Sequence, residues 1–216
     1  MRNFNENYSL VRALHAVVGE DVVDIYLNGS PFFYNVQFTN FTPYVYVPEG
    51  TYTVEVFPRD QKENPIATGK VEIKPGELMT IAITGESDKT IDILPIEEEM
   101  EIPTGNKSRV RFIHLVPNGK SVDILLDKEM VLEDVEYKEV TPYTDIDPKT
   151  YQVDVVLNEN GQLIRQIRVT INPGRVYSFY ALGNKPNFQI FQSLDGVTSL
   201  YSTSCKTTSL SNNIST

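Results

Sequence analysis

VRALHAVVGEDVVDIYLNG, from Val11 to Gly29, recurs as VRFIHLVPNGKSVDILLDK, from Val110 to Lys128. A shift of 99 positions superposes Val11 on Val110, Arg12 on Arg111, His15 on His114 and Asp24 on Asp123. Working outward, the same shift carries Thr42-Pro43-Tyr44 onto Thr141-Pro142-Tyr143 and Thr51-Tyr52 onto Thr150-Tyr151. Of the 46 gapless positions from 11 to 56, 16 are identical. With one residue deleted, Pro75-Gly76 meets Pro173-Gly174 and Gly85 meets Gly183. Solenoid units repeat every 20 to 50 residues or so; a 99-residue period is the size of a whole domain.

The duplication sets the organisation. It gives a short extension at 1–7, a module at 8–96, an acidic linker at 97–106, a second module at 107–195 and a Ser/Thr-rich tail at 196–216. The linker contains IEEEMEIPTGN, a charge run followed by Pro103 and Gly105, which reads as a solvated connection between modules placed end to end. The tail lacks apolar periodicity and reads as disordered when alone.

Within each module the apolar residues alternate as they do in strands. Tyr52, Val54 and Val56 share one face, as do Tyr151, Val153 and Val155. Val23, Ile25 and Leu27 oppose Asp24, Tyr26 and Asn28. Further strands are expected at 10–16, 32–36, 43–47, 67–73, 78–84 and 90–94. Turn residues separate them: Asn28-Gly29, Pro48-Glu49-Gly50 and Lys74-Pro75-Gly76, then Asn118-Gly119, Asn160-Gly161 and Asn172-Pro173-Gly174. No segment carries a capped 3.6-residue period. The expectation is all-β, as two tandem antiparallel immunoglobulin-like β-sandwich domains.

Composition narrows the function classes. The net charge of -10 repels phosphate backbones and anionic membrane surfaces, so neither nucleic acid nor membrane insertion is expected. The opening MRNFNENYSL has no apolar signal-peptide core, and no run of about 18 apolar residues suggests a membrane span. One cysteine, Cys205, excludes an internal disulfide; in a polar tail it reads as a candidate intermolecular cross-link.

The segment from Val11-Arg12 through His15 to Val23-Asp24-Ile25-Tyr26-Leu27-Asn28-Gly29, followed by Thr42-Pro43-Tyr44 and Gly50-Thr51-Tyr52-Thr53-Val54, resembles a bacterial family, the domain of unknown function 4397. The resemblance covers both modules. It implies immunoglobulin-like sandwiches, often in tandem and often on secreted or surface proteins, with no activity to carry over. The chain departs from the family where a Ser-Pro-Asp-Ala-Pro-like stretch follows the histidine; here stand Ala16-Val17-Val18-Gly19-Glu20 and Leu115-Val116-Pro117-Asn118-Gly119.

The residues with chemistry are few. His15 and His114 are the only histidines, one per module. One His falls short of the three or four ligands zinc wants, and one His with one Asp lacks the nucleophile of a triad. His15 should share the core face with Val11 and Ala13 while Arg12 points the other way. Asp24 and Asp123, between apolar neighbours, suit acceptors for backbone amides or partners for Arg12 and Arg111. Glu20, Asp21 and Asp24 resemble calcium ligands, but Gly119 and Lys120 replace the first two in module 2. No phosphate loop or nucleophile elbow is present.

These features favour a non-enzymatic structural or self-assembling component of a bacterial envelope, spore or extracellular layer. Its partners would be copies of itself or an envelope protein, with no cofactor. The alternative is a carbohydrate- or peptide-binding module using Tyr26, Tyr44 and Tyr46, with Tyr137 and Tyr143 in module 2. The cell surface or a spore layer is preferred over the free cytoplasm.

Overall fold

The computed structural model describes residues 8–184, 187–196 and 198. The first module contains β1 (Tyr8–Val18), β2 (Val22–Leu27), β3 (Ser30–Gln37), β4 (Val45–Pro48), β5 (Gly50–Pro58), β6 (Ala67–Ile73), β7 (Leu78–Glu86) and β8 (Ile91–Glu97). The second repeats them as β9 (Ser108–Leu115), β10 (Val122–Leu126), β11 (Glu129–Val135), β12 (Thr144–Ile146), β13 (Thr150–Leu157), β14 (Leu163–Thr170), β15 (Val176–Leu182) and β16 (Gln189–Leu194).

Each module is a sandwich of two four-stranded sheets. They run β4-β1-β7-β8 and β3-β2-β5-β6 in module 1, then β12-β9-β15-β16 and β11-β10-β13-β14 in module 2. The ladders are antiparallel, as the sequence suggests, except for one pair in each module: β1 runs parallel to β7, and β9 to β15. Such a pair joins the first strand of the module to its seventh. This long-range closure has no local sequence signature, because hairpin turns mark only antiparallel neighbours.

The repeated turns have local causes. At the β2–β3 hairpin Asn28 and Gly29 take φ of 48° and 72°, the positive angles a tight hairpin requires. The Asn28 Oδ1 accepts the Thr53 amide at 2.8 Å, and in module 2 the Asp127 Oδ1 accepts the Gln152 amide at 3.0 Å. Gly85 is repeated for a different reason. Its φ is +135°, and a Cβ there would lie 2.2 Å from the Thr90 carbonyl oxygen across the β7–β8 hairpin.

Three layers of apolar packing result. Val11, Ala13, Ile25, Val54, Val56 and Ile81 fill the gap between the sheets of module 1. Phe112, Ile124, Val153, Val155, Tyr177 and Phe179 fill that of module 2. The third layer lies between the modules: Leu14 and Ala16 of β1 and Ala82 of β7 pack with Ile113 and Leu115 of β9 and Tyr180 and Leu182 of β15. The sheets holding β1 and β9 therefore face one another, and the molecule is a stack of four sheets.

This corrects the end-to-end arrangement and the wholly solvated linker read from sequence. Central strand β1 is buried from Ser9 to Val17 on both faces. Its Val11, Ala13 and His15 face the interior of module 1, and Arg12, Leu14 and Ala16 face module 2. A strand covered on both sides needs no polar face, which is why VRALHAVV does not alternate cleanly. Within the acidic run, Glu98 is buried and Met100 packs on Leu10 and Leu78, because the chain crosses directly over the inter-module seam.

Candidate functional site

Arg12 and Arg111 occupy matching positions on the central strands of the two facing sheets, so the approach of the modules brings both cations into one seam. Each meets a carboxylate at the end of a module's last strand. The Glu98 and Asp195 positions are equivalent: the Glu98 amide donates to Leu78 O and the Asp195 amide to Val176 O. The Arg12 Nη2 lies 3.1 Å from Glu98 Oε1 and 2.9 Å from Asp195 Oδ1. The Arg111 Nη2 lies 3.7 Å from Asp195 Oδ2. Side-chain exposure is 6% for Arg12, 4% for Arg111 and 0% for both acids, so all four charges are withdrawn from water.

Hydroxyls and amides complete the cluster. Arg12 Nε donates to Thr80 Oγ1 at 2.8 Å, and Arg111 Nε donates to Ser178 Oγ at 2.7 Å. Thr80 and Tyr44 in turn donate to Glu98; Ser178 and Tyr143 donate to Asp195. The Gly196 amide donates to Glu98 Oε2 at 2.8 Å, so a carboxylate of module 1 is held by the end of module 2. The Arg12 guanidinium lies 4.5 Å from the Phe41 ring centroid, and that of Arg111 lies 4.3 Å from that of Tyr143.

Two cations balance two anions here. Burial, the largest single influence, works against the Arg12 cation, but the Glu98 and Asp195 charges and the Tyr44 and Tyr180 phenols together outweigh it and hold the pKa above its ordinary value. Burial, reinforced by the Glu98 charge and opposed by Arg12 and Arg111, pushes the Asp195 carboxyl up to about 6. Burial also raises the Tyr44 and Tyr143 phenols. What the arrangement does is tie one module to the other: Arg12 pairs with Asp195 of module 2 as well as with Glu98 of its own module, and Arg111 Nη1 donates to the Glu97 carbonyl at 2.8 Å.

The other repeated residues work inside their own modules. His15 is fully buried; its Nδ1 accepts the Val17 amide at 3.3 Å, and its Nε2 donates to the Glu20 carbonyl at 2.9 Å. That pattern defines the neutral ring, and burial lowers its pKa to about 4 against the Glu20 carbonyl and the Asp21 charge. His114 repeats the pattern, with Nδ1 accepting Val116 N at 3.2 Å and Nε2 3.3 Å from Lys120 O. Both rings thus pin the turn that follows the first strand of the module.

Asp24 and Asp123 lie beside β-bulges in the β2–β3 and β10–β11 ladders. Asn35 and Asp134 take φ of 55° and 56° there, and their amides donate to Asp24 Oδ1 and Asp123 Oδ1, each at 2.8 Å. Asn158 Nδ2 adds a 3.0 Å bond to Asp123. Neither aspartate pairs with Arg12 or Arg111, the other role their position suggested. Asp24→Ala should cost about 1–3 kcal/mol, the range for losing a hydrogen bond to a charged acceptor, whereas Asp24→Asn keeps an acceptor and should cost much less. Urea titration of both variants checks this; equal losses would remove the amide-acceptor role.

The profile of the domain of unknown function (DUF4397) matches residues 9–124 and 108–206. The chain belongs to this family. A comparison with curated proteins finds no match. Among solved structures the DUF4397 chain is similar to a carbohydrate-binding module of Eubacterium rectale Amy13K in complex with maltoheptaose. That match has 11% identity and TM-score 0.30, covering 86% of this chain and 97% of that one. It is similar to the fimbrial anchor protein Mfa2 from Porphyromonas gingivalis at 10% identity and TM-score 0.26, covering 88% and 98%. An α-glucan-binding streptococcal virulence factor matches at 12% identity and TM-score 0.26, covering 86% and 96%.

Of the five tyrosines suggested as a ligand platform, the DUF4397 structure leaves only Tyr46 well exposed, at 68%. Tyr44 and Tyr143 belong to the buried cluster, Tyr26 is buried, and Tyr137 is half-buried with its hydroxyl 3.3 Å from Thr84 Oγ1 of the other module. Sequence reading missed Glu98, Asp195, Thr80 and Ser178. Their signal is in the duplication: Thr80 and Ser178 correspond once the single deletion is allowed, and both acids follow the last strand of a module. The described residues contain no group of three or more His, Cys, Asp or Glu fit to hold a metal. Cys205 lies outside the described residues.

Proposed function

We infer that this chain is a non-enzymatic structural unit of a bacterial surface, spore or extracellular layer, a rigid two-module block that associates with copies of itself or an envelope protein. The observation that supports it is the sealed Arg12–Glu98–Asp195–Arg111 cluster. Charged side chains that a catalyst would present to a substrate are here consumed in holding two modules in one orientation. Fixed geometry serves a building block, because a repeating layer needs the spacing between its contact surfaces to be constant.

The contact surfaces would be the outer strand edges. The β3 edge exposes Tyr34 at 56%, and the matching β11 edge exposes Met130 and Val131 at 46% each. An unpaired edge with apolar side chains is a template for strand addition from a neighbour. Sedimentation of the full-length chain at micromolar and millimolar concentration, with and without reductant, tests the reading. Association that grows with concentration, with a reductant-sensitive fraction lost in Cys205→Ser, is expected. A strict monomer under every condition would overturn it. Binding in a glycan array without association would support the carbohydrate-binding alternative instead.

A further inference from the structure

We propose that module 2 carries a binding site for a small apolar ring, an aryl group of about benzene size, in the gap between its two sheets. A cavity of about 140 Å³ lies there, walled by Phe112, Ile124, Leu126, Leu132, Val153 and Phe179. A dry apolar cavity of about 150 Å³ is enough to take up benzene. The cavity opens between the β11 and β12 edges, where its rim includes Val131 and the exposed Thr144 and Asp145.

The duplication identifies what fits. Ile25 pairs with Phe33 across β2 and β3, and Ile124 pairs with Leu132 across β10 and β11, so Leu132 stands where module 1 has Phe33 and Val131 where it has Phe32. Phe32 and Phe33 lie 4.2 Å apart between ring centroids and pack on the core of module 1. Module 2 restores part of that volume from the opposite sheet, with Phe112 and Phe179 in place of Ala13 and Ile81. What remains unfilled is space on the β11 side, where the other copy places aromatic rings. The walls offer shape and apolar contact, and the open rim lets substituents on the ring reach solvent. The site borders the β11 edge of the assembly reading, sharing Val131 with it, but does not rest on that reading.

Toluene is a suitable probe. Near saturation it should raise the melting temperature of the full-length chain by about 2–4 °C and perturb the methyl resonances of Ile124, Leu132 and Val153. Leu132→Phe, which restores the ring of module 1, should raise the melting temperature and abolish the toluene response. The converse variant, Phe33→Leu, should add a second toluene response in module 1. An unchanged melting temperature and unmoved methyl resonances at saturation overturn the proposal. So does a toluene response that survives Leu132→Phe. Loss of self-association in Leu132→Phe, with no toluene response in the parent chain, would overturn it by assigning the cavity to a side chain of a second copy.

Discussion

Replacing Arg12 with methionine should cost the folded chain about 3–5 kcal/mol at neutral pH, the range for removing one partner of a buried ion pair. Arg12 reaches carboxylates of both modules, Glu98 at 3.1 Å and Asp195 at 2.9 Å. Methionine fills most of the space but leaves two acids facing only Arg111, whose nearest approach is 3.7 Å to Asp195. The loss is therefore mainly the burden of an uncompensated buried charge and only partly the loss of contact. A second substitution separates the two. In Arg12→Met with Glu98→Gln, the remaining Asp195 and Arg111 are balanced again, so part of the stability should return.

The same variant has a diagnostic pH dependence. The Asp195 carboxyl already titrates near pH 6 because burial and the Glu98 charge oppose its ionisation. Without Arg12 it is held up further, so acid neutralises the uncompensated charge. The penalty in Arg12→Met should shrink as pH falls from 8 to 5, measured as the gap between urea denaturation curves of parent and variant. A gap independent of pH would mean that lost packing, not charge, carries the cost.

The strands were legible because duplication and alternation both mark them. Residues such as Tyr52, Val54 and Val56 repeat as Tyr151, Val153 and Val155 on a period of 2, and the structure places them in β5 and β13. The inward face of His15 was legible for the same reason. The docking of the modules was not. Arg12 on a largely apolar strand reads locally as a solvated charge, since the partner acids lie 86 and 183 positions away along the chain. A charge run such as 97–101 is usually solvated, and nothing local distinguishes Glu98 from its neighbours. The available clue was an arginine kept at the same place in both copies within a largely apolar strand. A buried charge demands a partner, so an arginine there predicts an acid from outside its own sheet. The same blindness hid the parallel β1–β7 pairing, which brings together strands some 70 residues apart.

Two buried groups should titrate in opposite senses over the same pH range, and single substitutions should expose each. His15 has its pKa lowered from 6.5 to about 4 by burial, so the fold favours the neutral ring. Its contribution is complete above pH 6.5 and is lost as pH falls towards 4. At about 1.4 kcal/mol per pKa unit, the loss is on the order of 3 kcal/mol. Asp195 has its pKa raised from 3.8 to about 6, so the fold favours the protonated acid. Its contribution is complete below pH 3.8 and is lost as pH rises through 6, again on the order of 3 kcal/mol. In the parent chain the two slopes nearly cancel between pH 4 and 6.5. His15→Gln keeps a donor for the Glu20 carbonyl but cannot ionise. Its stability relative to the parent should therefore improve as pH falls across that range. Asp195→Asn removes the other titration, and its stability relative to the parent should decline over the same interval, whatever its absolute cost. Denaturation free energies at half-unit steps from pH 4 to 7, taken as parent minus variant, remove the titrations common to all three proteins. Flat difference profiles would show that neither group changes its proton affinity on folding. Opposed slopes would show that the inter-module seam and the β1 turn set the acid response of this fold together.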